Sequence, residues 1–446
     1  MNTVRRRFAA KPLELLQAAI LFLFLFPLFF QLSGSIFNAK DAIFDYQGNL
    51  FLLPLPLASA ICFIGIALLL RLGSSHYGMG FVFSLFALMM LSTMVTTGGG
   101  SAPFELNKFI HLLQFLLPTF AFVLGQLYRK PDSTHLSFEA IAVYVLLIVI
   151  PLEVIATIDG GNTLAANLYF FSLYQHYQYL PVLFIGLFLI VAATFYEKSI
   201  LRSLIIFLAP WMGVYVAQSI SINAIVLALF GATILVWVLS KIGKTTYALA
   251  LILLAGATFF VYQPYVRNTQ AYVAKFNSTV EISDPQISAN TSGHNATDSS
   301  SKGRLSWSDV KIALPMNLRE RFEIWEFYIN GVIESPKVFL FGHQLRPDRT
   351  KYPSAHNYYL DLVYNFGFVS LLPFLYLIFH SIRKMFRIRL RNTITPNFIM
   401  LTALVAFFVF IDSSLKVGFT QPYPGMVMFF LWGLLWYPDN IKADML

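Results

Sequence analysis

Arg321 and Trp325 stand four residues apart in one polar stretch of this chain, and further along His356-Asn357 directly precedes an apolar run that begins at Tyr358. Arg267, Arg304 and Arg319 lie in the same polar segment. Each residue type has a definite chemical use. The planar fork of arginine pairs bidentately with phosphate oxygens and stays charged at any relevant pH. Histidine titrates near neutrality and can take a proton from a sugar hydroxyl, an effect worth roughly 10²–10⁴-fold in rate. A histidine at the rim of a membrane helix, preceded by several arginines in one loop, is suited to handling a lipid-linked phosphate. Metal chemistry has less to work with. The first loop offers Asp41 and Asp45 but no adjacent acidic pair, and the single cysteine, Cys62, allows neither an intrachain disulfide nor a Cys-rich metal site.

The elements that must position these residues are membrane helices. The chain is 57% hydrophobic with mean hydropathy +0.66 and only 12% charged, about half the charge of a soluble domain. Repeated long apolar runs mean membrane-spanning helices, because a helix in lipid satisfies its own backbone. About twelve runs are predicted, near 13–33, 50–70, 79–97, 108–128, 138–158, 179–196, 200–217, 221–239, 245–263, 357–380, 396–412 and 423–437. The expected fold class is therefore an all-α integral membrane protein with one large extracytoplasmic loop containing short helices. The organisation is 1–263 for helices one to nine, 264–356 for the loop, and 357–446 for helices ten to twelve.

Charge placement sets the orientation. Arg71, Arg129-Lys130, Lys198 with Arg202, Lys241 with Lys244, and the group from Arg383 to Arg391 fall on alternate joints. The opposite short joints carry only Lys40, Lys108 and Lys416. The positive-inside rule then puts both termini in the cytoplasm and the long loop outside. The same rule accounts for the net charge of +9 without nucleic acid as a partner. The first apolar run follows Arg5-Arg6-Arg7, but it is too long for a signal h-region and lacks a clear cleavage site, so it reads as an uncleaved helix.

Within the loop, Asn277 to Ser301 is rich in Ser, Asn and Thr and has the composition of a solvated insertion. Its sequons, at Asn277, Asn290 and Asn295, carry little weight in such a composition. After Gly303 the character changes. Ile324, Trp325, Phe327, Tyr328, Ile329 and Val332 recur on a helical pattern, which predicts an amphipathic helix over 318–334, stopped by Ser335-Pro336.

The ordered set Arg321-x-x-x-Trp325, then Ser335-Pro336 leading to Gly342, then His356-Asn357-x-x-Leu360 leading to Gly367, resembles the O-antigen ligase/polymerase superfamily. These integral membrane enzymes move glycans from a polyprenyl diphosphate carrier. The resemblance spans Arg321 to Gly367 by motif, and the whole chain by helix count and loop placement. It implies a reaction without metal or other cofactor in a bacterial inner membrane, with the large loop periplasmic. The donor would be an undecaprenyl-diphosphate-linked glycan, and the acceptor the lipid A core or another carrier-linked glycan. Ligation is expected ahead of polymerisation, because one dominant outside loop after the ninth helix is the layout it implies. His356 takes the histidine role and Arg321 one arginine role, with Asn357 beside them as a substrate contact. In one respect the chain departs from the pattern. The family has a further arginine near the outer end of a mid-chain helix, and the corresponding stretch, Gln218 to Asn223, has none. Arg304, Arg267 and Arg319 are the candidates for that second diphosphate contact.

Other readings have less support. A transporter or flippase would show two related halves and a charged or broken-helix site at mid-membrane, whereas these halves are unlike. A metal-dependent transferase would need paired carboxylates. The remaining polar candidates inside apolar runs are His111 and Gln114 after Asn107, then Glu153, Asn223 and Asp412, with Gln175 to Gln178 in an outside joint. His294-Asn295 repeats the key dipeptide with no apolar helix behind it and serves as a control.

Overall fold

A computed structural model gives the architecture and describes residues 2–30, 55–70, 75–97, 106–158, 179–197, 199–219, 221–263, 316–344, 347, 354–389 and 395–436. The described chain is helical apart from one two-residue antiparallel ladder, in which Phe29–Phe30 pairs with Leu55–Pro56. The helices are α1 (Asn2–Leu25), α2 (Leu57–Leu69), α3 (His76–Thr97), α4 (Leu106–Leu116), α5 (Phe120–Leu127), α6 (Phe138–Ile158), α7 (Leu180–Thr194) and α8 (Ile200–Gln218). They continue as α9 (Ile222–Ser240), α10 (Thr245–Tyr262), α11 (Met316–Val332), α12 (Pro336–Phe341), α13 (Tyr358–Phe366), α14 (Leu372–Arg389), α15 (Pro396–Ala406) and α16 (Pro422–Leu434).

Each predicted apolar run contains a helix in its described part. Among the described residues, seven helical segments are long and apolar enough to cross a membrane, and α2, α7 and the apolar part of α1 are shorter. This makes the chain a multi-helix membrane protein. The closely spaced pair 200–217 and 221–239 resolves into two helices because Ser221 caps the second, its hydroxyl accepting from the Ala224 amide at 3.4 Å. The core is dominated by large apolar side chains from α5, α7 and α16, including Phe122, Phe184, Phe429, Phe430 and Trp432.

The expected span that follows His356 is broken. The run 357–380 is not a single helix starting at Tyr358. It opens with the nine-residue α13, turns at Gly367, and only then enters the membrane-length segment Phe368–Phe386. Gly367 has φ 72° and ψ 171°, a conformation open essentially to glycine alone. A Cβ there would fall 2.1 Å from the Leu340 carbonyl oxygen at the end of α12. Gly342, at φ 75°, answers it from the other side, where a Cβ would meet the Phe366 amide at 2.6 Å. The two glycines of the motif are thus a backbone-to-backbone seam between α12 and α13. Gly367→Ala should destabilise the fold by at least the ~1–3 kcal/mol expected of such strain. The readout is the melting temperature of detergent-purified protein, and an unchanged value would contradict the seam.

The predicted amphipathic helix is present as α11. It lays Tyr328 and Val332 against Ala355, Val363 and Tyr364 in a second, smaller core. Lys108 of α4 donates to the His343 carbonyl at 2.7 Å and to Thr96 at 3.1 Å, and Ser92 of α3 donates to the Phe341 carbonyl. These bonds tie α12 to α3 and α4, so α11, α12 and α13 form one platform seated on the helix bundle.

Candidate functional site

The platform presents His356 in a constrained turn. Trp325 Nε1, one turn beyond Arg321 on α11, donates to the Ala355 carbonyl at 2.7 Å. The His356 amide donates to Ser354 Oγ at 3.3 Å. Asn357 Oδ1 accepts from the Leu360 amide at 3.0 Å and so caps α13. Between these fixed points His356 takes φ 47°, the single non-glycine residue with positive φ among the described residues. A non-glycine residue in that region costs about 1–3 kcal/mol, and such positions cluster where side-chain aim matters. Asn357, expected as a substrate contact, acts here as a helix cap. Tyr359 donates to the Val409 carbonyl at 2.7 Å and holds α13 against the chain that follows α15.

Arg321 reaches the same place from α11. Its Nη1 donates to the Leu415 carbonyl at 3.4 Å. Leu415 ends the helical path that continues α15 through the π-turn Phe407–Asp412 and the short turn Ser413–Leu415. A cation there faces the negative end of a helix.

The next residue, Lys416, is the functional candidate that sequence reasoning missed, having been read only as one charge in a short outside joint. It is buried at 7% exposure, with Nζ 3.3 Å from Ser221 Oγ at the start of α9 and 5.7 Å above the Tyr179 ring. Its amide donates to the Asp412 carbonyl at 2.7 Å, and Asp412 Oδ1 accepts from Asn223 Nδ2 at 3.0 Å. The available signal was the spacing of Asp412 and Lys416, one helical turn apart at the end of an apolar run. The stretch that lacks the expected arginine, Gln218 to Asn223, therefore meets a cation supplied by another helix.

Burial holds the His356 imidazole below its ordinary pKa, and the positive charges of Arg321 and Lys416 push it further the same way. The ring is neutral at pH 7 and able to accept a proton. Burial also pushes the Lys416 ammonium down to about 8, with Asp412 opposing the shift and Arg321 adding to it. At neutral pH the ammonium is still largely charged. A neutral base beside two cations can deprotonate a hydroxyl next to an anionic leaving group.

Arg304 and Arg267 lie outside the described residues, as do the Arg319 side chain, Asn277 to Ser301 and Gln175 to Gln178. His111 does not join the site. It bonds Gln114 at 3.1 Å and stacks on Phe366, behind α13. Glu153 is buried on α6, and Asn223 donates to Asp412, whose carbonyl accepts from the Lys416 amide. Among the described residues no three or more His, Cys, Asp or Glu side chains converge. No family model, curated protein or solved structure matches this chain.

Proposed function

We propose that this protein is an inner-membrane glycan transferase that moves a polysaccharide from an undecaprenyl diphosphate carrier to an acceptor hydroxyl. The carrying observation is a neutral, backbone-constrained His356 with Arg321 and Lys416 acting on its ring. In the proposed step the acceptor oxygen forms the new bond to the sugar's anomeric carbon, and its proton passes to the His356 imidazole. The bond from that carbon to the diphosphate oxygen breaks, and the electron pair leaves with the diphosphate. Arg321 meets the developing negative charge. This chemistry requires no metal or cofactor.

A lipid-linked donor also suits the surroundings. A cavity of about 220 Å³ opens between α7, α8, α9 and α10, lined by apolar residues that include Gly213, Val216, Ile225, Ala228 and Ala255. Ile225 is one turn along α9 from Ser221, the residue that Lys416 contacts. An isoprenoid tail in that cavity would have its diphosphate end near the cations.

In this reading both termini are cytoplasmic and the His356 turn faces the periplasm, as the alternating basic joints imply. The acceptor is the lipid A core, which makes the protein an O-antigen ligase; joining carrier-linked repeat units, as a polymerase does, is the second reading. A glycan gel of a deletion strain separates them. Loss of long chains from lipid A with carrier-linked polymer retained identifies the ligase. Single-repeat chains identify the polymerase, and an unaltered ladder would count against both.

A further inference from the structure

We propose that Lys416 is the second cation that grips the donor diphosphate, working with Arg321 across the turn that carries His356. The proposal rests on the transferase reading above and adds to it the residue that replaces the missing arginine. Four separate elements converge here. Arg321 comes from α11 and His356 from the turn before α13. Lys416 follows the continuation of α15, and Ser221 begins α9. A diphosphate has two phosphoryl groups, and a single guanidinium fork matches one of them. A lysine acting on the same imidazole supplies a point charge for the other.

The environment of Lys416 suits an anion. Two cations, Arg321 and Lys416, act on each other here, and Asp412 offsets them in part while its Oδ1 is engaged by Asn223. Ser221 Oγ accepts from Lys416 and from the Ala224 amide, so its own hydroxyl hydrogen is left to donate. The positive end of the 19-residue α9 lies at the same point. Burying an ammonium beside a membrane helix is expensive, and such residues mark ion and substrate positions.

The test uses the purified full-length protein, with carrier-linked glycan as donor and undecaprenyl diphosphate without glycan as competing probe. Lys416→Met should raise the KM for donor by about tenfold or more, the scale of one charge-assisted hydrogen bond. It should weaken inhibition by the carrier diphosphate by a similar factor and leave the acceptor KM unchanged. Lys416→Arg should restore most of the donor affinity. The acidic limb of the pH profile should also move up in Lys416→Met, because removing a neighbouring positive charge raises the imidazole pKa. Asp412 is common to both proteins, so it does not produce that difference. If Lys416→Met fails to fold, the double variant Asp412→Asn/Lys416→Met removes the buried carboxylate with the ammonium and is read by donor KM and inhibition alone, because losing the Asp412 charge also acts on the imidazole. A folded variant of either kind with wild-type donor KM and inhibition would overturn the proposal and leave Lys416 as a structural partner of Asp412. Wild-type protein that transfers glycan but is not inhibited by the carrier diphosphate would overturn it too. Absence of any transfer by the wild type would instead bring down the transferase reading, and this proposal with it.

Discussion

Replacing His356 with glycine should abolish glycan transfer while leaving the protein at least as stable as wild type. The loss expected is about 10²–10⁴-fold, the range for removing a general base. Glycine is the informative choice because His356 sits at φ 47°, where a side chain strains the backbone and glycine does not. His356→Ala would retain the wild-type strain, so only glycine separates the backbone from the chemistry by raising stability while removing the base. The two properties should therefore separate: a melting temperature equal to or above wild type, with the glycan ladder gone. In the wild type, transfer should fall on the acid side with a midpoint below the ordinary histidine value. Burial and the two cations lower the imidazole pKa, so the neutral, proton-accepting form persists to more acid pH. His294→Ala, at the same dipeptide in the Ser/Asn/Thr-rich insertion, should be silent. A normal ladder from His356→Gly at equal protein level would remove the catalytic assignment.

Arg321→Lys should be nearly as damaging. Lysine keeps the charge and loses the planar fork, so a role that needed charge alone would survive. A role in holding a phosphoryl group as negative charge develops would not, and the loss expected is about 10²–10³-fold in kcat/KM. The structural cost should be small, because Arg321 is half-buried and its bond to the Leu415 carbonyl is long, at 3.4 Å. The pH profile helps here as well. The charge beside His356 is retained, so the acidic limb should stay where it is while the rate falls. If Arg321→Lys works as well as wild type, the guanidinium is only a helix-end contact.

Much of the architecture was legible in the sequence. Apolar runs near the length that lipid requires located the helices, since a helix rises 1.5 Å per residue and must match the hydrocarbon thickness. The 3.6-residue periodicity of Ile324, Tyr328 and Val332 placed α11 within two residues of its ends. Local capping chemistry was legible in the same way. Ser335-Pro336 ends one helix and starts another, with Ser335 Oγ accepting from the Val338 amide at 3.2 Å. These features depend on neighbours a few residues apart, and a linear pattern records them.

What the sequence alone determined, then, is a helical membrane chain; it also singled out Arg321 and His356 as the candidates for chemistry. The tertiary structure decided what surrounds them. Arg321 meets a carbonyl 94 positions away, Lys416 meets a serine 195 positions away, and Lys108 meets the His343 carbonyl 235 positions away. No periodicity encodes such pairs, because they follow from which helix ends the packing brings together. The break at Gly367 was hidden for a related reason. Its apolar neighbours continue the pattern of a span, and only the close approach of the Leu340 carbonyl shows why glycine stands there. Asn357 likewise reads as a substrate contact in a motif and as a cap once Leu360 is folded beneath it. Sequence patterns register hydrophobicity and local hydrogen bonding. The position of a charge relative to a distant base is set by packing, and that geometry made Lys416 a candidate.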